Sequence, residues 1–280
     1  MRLTHNMYSL SIYKTYKGRV EDNAKALNNI STGSKLSSAK DNPNKIGKNE
    51  TLKIQVLTND AASKNIQDTN SMLQTYDGSL QEINDNLNRM RELTVSAGSG
   101  ALTDEDKKII QNEIDSIKKD ISDLSNNTEF NGVKLSETKK SGVNLSLDPT
   151  KTIKSAIGNM DDENIEIPLF DVSTENLGIE DLNISDVDAS LKAVDKATQM
   201  VSKIRSKYGS IQNRLEGTAD YLSSKDTCVQ TAQSRIGDAD IAEEMMNYSK
   251  SQLLVNSSIG LLAQSNNFPK DCLNILGNVK

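Results

Sequence analysis

The sequence predicts a mainly α fold: an elongated antiparallel helical bundle or coiled coil, with a small β-hairpin region and with its N- and C-terminal helices paired. Three observations point there. Heptad columns of apolar residues run through two arms of the chain. Large rings, which fill much of a rounded core, are scarce: aromatics make up 4% of the 280 residues and Trp is absent. Between the arms lies a segment of different, acidic character that opens with a hairpin-turn signal.

The first element covers residues 1–36. Leu3, Met7, Leu10, Tyr13, Val20, Ala24 and Leu27 form a loose helical stripe there. The next, residues 37–135, carries the decisive periodicity. Ile66, Leu73, Leu80 and Leu87 recur every seven residues, and Thr69, Tyr76, Ile83 and Met90 do so offset by three. That is an a/d seam, which predicts a long helix packed on other helices. Gly98-Ser99-Gly100 breaks it, and Thr103 followed by Asp104, Glu105 and Asp106 reads as an N-cap with acids in the first turn of a new helix. The second helix has its own seam at Ile110, Ile114, Ile117, Ile121 and Leu124. The glycine break is therefore the turn of an antiparallel helical hairpin. Asn131-Gly132, between Phe130 and Val133, predicts a type I′ β-turn.

Residues 136–187 form a short segment of different character, with β-hairpin signals. From Ser155 to Leu191 there is no Lys or Arg but there are ten Asp and Glu. Alternations such as Asn144 to Leu147 and Ile165 to Ile167 allow a few small strands. Asp161-Asp162-Glu163 lacks the alternating ligands of a calcium loop and reads as solvated charge. Residues 188–237 hold the most regular heptads. Val194, Val201, Tyr208, Leu215, Leu222, Val229 and Ile236 form one column; Ala197, Ile204, Ile211, Thr218, Lys225 and Ala232 form the other. A helix of that length measures on the order of 65 Å.

The last element, residues 238–280, begins with Asp240 to Glu243, which fits a capping box. From Ser251 to Pro269 there is no charged residue, in a chain of net charge −6 and mean hydropathy −0.57. Leu253, Leu254, Val255, Ile259, Leu261, Leu262 and Phe268 make this tail apolar on several sides. Such a helix must be covered on several sides. The chain offers one other terminal helix, so the missing contacts must come from other copies or from a partner. Neither terminal helix can bury its stripe alone, and both are expected to stay largely unfolded until docking.

Several function classes are set aside. The mild acidity, pI about 5.1, argues against nucleic acid as the main partner. The N-terminus lacks the apolar core of a cleaved secretory signal. Gln252, Asn256, Gln264, Asn266 and Asn267 break the tail into something that does not insert in a membrane. A single histidine, His5, leaves no zinc-protease motif, and no phosphate-binding glycine loop occurs, so no enzyme activity, metal or cofactor is expected. Cys228 and Cys272 match no pairing or metal spacing and are expected to be dispensable free thiols.

Several blocks resemble one family. Leu87 to Val95 (LNRMRELTV) resembles the signature of the first long helix of bacterial flagellin. Ile30 to Leu36 with Ser38 to Asp41 resembles the bend before it, and Phe130 to Leu135 its hairpin. Arg235 to Met245 and Leu261 to Pro269 resemble its two C-terminal blocks. They span both arms in the family's order. The resemblance implies a short flagellin without large outer domains. Residues 1–36 and 238–280 would line the filament core, and 37–135 with 188–237 would form the surrounding rod. It also implies a homopolymer, export through the flagellar type III apparatus, a cytoplasmic export chaperone at the C-terminal tail, and hook-associated junction and cap proteins at the filament ends. Asn88, Arg89, Leu93 and Glu113 would contact the vertebrate Toll-like receptor for flagellin, with Arg89 central. Met1 to Met7 and Asp41-Asn42-Pro43 are similar to the hook–filament junction protein, which is kept as an alternative. A non-polymerising helical scaffold would carry the same heptads but not the family blocks.

Overall fold

A computed structural model describes residues 6–38, 40, 42–99, 102–134, 136, 149–158 and 163–277. Its elements are α1 (Met7–Thr32), α2 (Pro43–Ala97), α3 (Asp104–Asn127), β1 (Glu129–Phe130), β2 (Val133–Lys134), β3 (Lys151–Ala156), β4 (Asn164–Leu169), α4 (Val187–Gly237) and α5 (Ile241–Gly277). They divide into two compact units, residues 1–56 with 227–280, and residues 57–226.

The second unit contains the apolar core. Every residue of the two α2 columns, from Ile66 to Met90, is buried, as are Ile114, Ile117 and Ile121 of α3. From α4 the core takes Val194, Ala197, Val201, Ile204, Tyr208, Ile211, Leu215 and Leu222. Two ion pairs set the direction of α2 against α4: Arg205 Nε lies 2.8 Å from Asp77 Oδ1, and Arg91 Nε lies 2.9 Å from Asp195 Oδ1. As α2 advances from 77 to 91, its partner on α4 retreats from 205 to 195, so the helices are antiparallel. The α4 seam is shorter than its heptads predict. Thr218, Lys225, Val229, Ala232 and Ile236 are only half-buried. Thr218 and Lys225 put polar groups into one column there, and a charged end group is held at the edge of a seam rather than within it.

Local signals account for the other boundaries. At the start of α3, Thr103 and Asp106 form a reciprocal capping box, with Asp106 N donating to Thr103 Oγ1 at 3.2 Å and Thr103 N to Asp106 Oδ2 at 3.0 Å. The Thr103 hydroxyl, which donates to Asp106 Oδ2 at 2.6 Å, and then the Thr103 N–H hold the Asp106 carboxyl below its ordinary pKa. In the first hairpin Phe130 pairs Val133, and Asn131 (φ 50°) and Gly132 (φ 77°) both adopt the positive φ of a type I′ turn. β3 and β4 pair antiparallel, Ile153 opposite Ile167. The suggested strand at Asn144–Leu147 lies outside the described residues, as do Leu3, His5, Leu135 and Asp161-Asp162.

The acidic segment does more than the sequence reading allowed. Ile165, Ile167 and Leu169 of β4 are buried, and so are Phe170, Val172, Leu177, Ile179, Leu182 and Ile184 beyond it. The Phe170 and Tyr208 rings lie 5.9 Å apart, and Lys207 Nζ stands 4.9 Å from the Phe170 centroid. Lys118 Nζ donates to Leu182 O at 2.9 Å, while Gln111 Oε1 accepts from Ile184 N at 3.1 Å. Tyr76 donates its hydroxyl to Val133 O at 2.9 Å, and burial pushes its phenol up to about 12.

Leu80 is fully buried in this core. Leu80→Ala is expected to cost about 2–5 kcal/mol, because the cavity adds to the lost transfer energy. Leu57→Ala, at an exposed position of the same helix, is expected to stay within ~0.5 kcal/mol. Denaturant midpoints of the two variants check this, and equal midpoints would overturn the assignment of the core.

Candidate functional site

The first unit pairs α1 with α5. The backbone ties one end of the pair, where α1 ends and α5 begins. Gly33 caps α1 in the left-handed conformation (φ 67°) that a side chain resists. Beyond it, Lys35 N donates to Gly237 O at 2.7 Å and Ala239 N to Gly33 O at 2.8 Å. A Cβ at Gly237 would approach Asn49 Oδ1 to 3.0 Å, so a larger residue there requires the Asn49 side chain to shift. α5 then starts on Asp240, whose Oδ1 accepts from Ala242 N at 2.9 Å and Glu243 N at 3.3 Å.

The surface joining α1 to α5 is polar and small. Ser251 and Ser258 of α5 are buried at 7% and 8% exposure, and Ala26 and Asn29 of α1 are each at 4%. Asn29 Nδ2 donates to Glu244 Oε1 at 3.1 Å, and Asn23 Nδ2 to Gln252 Oε1 at 3.1 Å. Ser9 and Ser265 bring their hydroxyls to 2.8 Å. Glu244, Ser251, Ser258 and Ser265 are spaced by seven, so the contact face of α5 is a heptad column. Apolar periodicity alone does not reveal this column; the spacing of the serines is its signal in the sequence.

The large apolar residues point elsewhere. Met7, Leu10, Val20 and Leu27 of α1 and Leu253, Ile259, Leu261 and Phe268 of α5 are exposed, Leu253 at 68%. Leu254, Val255 and Leu262 are half-buried. Tyr8, Ile12, Leu261 and Phe268 border an open groove of ≈ 460 Å³ between the helices. Both helices are formed and paired in the single chain, yet the pairing leaves their apolar stripes uncovered.

A second group of residues lies on the other unit. Arg89 binds Glu113 of α3 through Nε (3.1 Å) and Nη2 (2.8 Å), and Glu92 through Nη1 (3.3 Å). Glu113 is the first cause holding the Arg89 pKa above its ordinary value. Asn88 is exposed beside it. Leu93 is a correction to the expected cluster. It is 7% exposed and belongs to the core, not to Arg89's solvent face. It adjoins Thr94, which continues the Ile66–Leu87 column and is itself fully buried. Residues flanking a seam are covered when more than two elements pack together.

Among the described residues no group of His, Cys, Asp and Glu could hold a metal ion, and no helix is long and apolar enough to cross a membrane. Cys228 is a free, exposed thiol, and the side chain of Cys272 lies outside the described residues.

Two family models match the chain in order. The one described as bacterial flagellin N-terminal helical region matches residues 3–140, and the one described as bacterial flagellin C-terminal helical region matches residues 191–276. The chain belongs to the bacterial flagellin family. Flagellin of Bacillus subtilis is 32% identical over 99% of this chain and 100% of its own. Flagellin of Halalkalibacterium halodurans is 30% identical with the same coverage of both chains. A solved structure from Vibrio parahaemolyticus, provisionally named a flagellar hook-associated protein, overlays 71% of this chain and 100% of its own with a TM-score of 0.58. At 18% identity that likeness shows the shared fold alone and does not favour the junction-protein alternative.

This short-form flagellin is an exported structural subunit of the flagellar filament, which it forms by self-assembly, and not an enzyme.

Proposed function

We propose that the exposed apolar faces of α1 and α5 are the contacts by which one subunit holds its neighbours in the filament core. The supporting observation is the division of labour on α5: serines face α1, while Leu253, Ile259, Leu261 and Phe268 face outward. Burying each large side chain contributes about 1.5–3 kcal/mol before ordering entropy is subtracted. Charge would be costly at such a contact, which accounts for the uncharged run from Ser251 to Pro269. Residues 37–135 and 188–237 form the rod around that core, with 136–187 as the short variable segment. Electron microscopy of the purified protein tests this, with filaments expected; a chain that stays monomeric at high concentration would overturn it.

The same stripe is a hazard before assembly. A cytoplasmic export chaperone therefore covers Leu253, Leu254, Val255, Ile259, Leu261, Leu262 and Phe268 until the chain enters the flagellar type III apparatus. Hook-associated junction and cap proteins meet the same helices at the filament ends. Asn88, Arg89 and Glu113 supply the surface for the vertebrate Toll-like receptor, with Leu93 supporting it from beneath. Arg89→Asp places a carboxylate against Glu113 and Glu92. It is expected to lower receptor signalling by monomers at least tenfold with helicity unchanged. A reporter-cell titration beside circular dichroism checks this, and full signalling from a folded variant would refute it.

A further inference from the structure

Pro269 lies inside α5. A proline has no backbone N–H, so the carbonyl four residues earlier loses its intrahelical donor. That carbonyl belongs to Ser265. Its replacement donor comes from the other end of the chain: Asn6 Nδ2 donates to Ser265 O at 2.9 Å and to Ser265 Oγ at 3.2 Å. The other atom of the same amide caps α1, since Asn6 Oδ1 accepts from Ser9 N at 3.2 Å. Ser9 Oγ completes the junction by donating to Asn266 Oδ1 at 3.1 Å. One side chain thus satisfies an orphan N–H in the first turn of α1 and an orphan C=O within α5.

We infer that Asn6 is a positioning residue for assembly: it fixes the register of α1 against α5 by supplying the hydrogen-bond donor that Pro269 removes. The rest of the contact specifies register weakly. Ser251, Ser258 and Ser265 are chemically equivalent and seven residues apart, so a slip of one heptad returns serine to the same face. The carbonyl freed by Pro269 is not repeated along α5, and a slipped pair would leave it without a donor. Register matters because it sets which outward residue of α1 (Leu10, Leu27) stands level with which outward residue of α5 (Leu253, Leu261). Neighbouring subunits would meet that combined surface.

The inference rests on the proposed subunit contact, and its test separates the two. In the full chain, Asn6→Ser keeps a capping oxygen but loses the reach of the amide donor. It is expected to raise the subunit concentration in equilibrium with filaments about fivefold or more, the value of one lost hydrogen bond. Pro269→Ala restores an N–H to the Ser265 carbonyl. In that background Asn6→Ser is expected to change the concentration less than twofold. An equal effect in both backgrounds, or no effect in the natural one, would overturn the clamp. Should Pro269→Ala block filaments, register is read in monomers. A disulfide between Ser9→Cys and Ser265→Cys, with Cys228 and Cys272 replaced by Ser, forms across a pair whose hydroxyls now lie 2.8 Å apart. Its yield is expected to fall severalfold with Asn6→Ser, and an unchanged yield would overturn the inference. Failure of the unaltered chain to form filaments while this disulfide still forms would instead refute the subunit contact.

Discussion

A chain lacking residues 238–280 is expected to be a soluble, helical monomer that forms no filaments at any accessible concentration. The buried cluster running from Ala62 to Leu222 draws on no residue of α5, so the second unit keeps its core when the tail is removed. α1 would lose its partner. Asn23, Asn29 and Ser9 would give up their bonds to Gln252, Glu244 and Ser265, and an isolated helix of this composition is marginal in water. Circular dichroism should therefore show most of the helicity retained, and sedimentation a single small species. Deleting residues 1–36 should have the same outcome for the converse reason. Filaments of ordinary appearance from either truncated chain would mean that the terminal pair is not what joins subunits.

The seam of α2 was legible because heptad spacing states one thing: which residues share a face. The columns Ile66–Leu87 and Thr69–Met90 are buried throughout. Thr103 and Asn131-Gly132 were legible for a similar reason, since a cap and a type I′ turn each depend on residues close in sequence. The stretch from Phe170 to Ile184 was not. It reaches the core through turns rather than a regular element, so its apolar residues follow no period. Bonds from distant residues hold it, those of Gln111 and Lys118 to Leu182 and Ile184 among them. The depth of Leu93 was not legible either, because it depends on what packs beside the seam and not on position along the helix. At the site, the apolar stripes were visible in the sequence. Hidden was the choice of inner face, because a serine column signals helix contact only once a partner of matching polarity is in place.

That choice of face makes a sharper test than deletion. Leu253 is 68% exposed in the single chain, and substitutions at such positions seldom disturb a fold. Leu253→Glu should leave helicity and the polar contact between α1 and α5 unaltered, including the Asn23–Gln252 bond one residue away. Its effect should appear only when subunits meet. There it removes about 2 kcal/mol of apolar burial and sets an unpaired carboxylate in a contact that excludes water. The concentration needed for polymerisation should rise roughly a hundredfold or more, from those two costs combined. Leu253→Gln separates them: it loses the apolar contact but brings no charge, so its filaments should form at an intermediate concentration. Ser258→Leu should behave differently, because the larger side chain is forced into a buried position facing α1 and disturbs the helix pair before assembly begins. Should Leu253→Glu polymerise like the natural chain while Ser258→Leu is silent, the inner and outer faces of α5 would have to be exchanged.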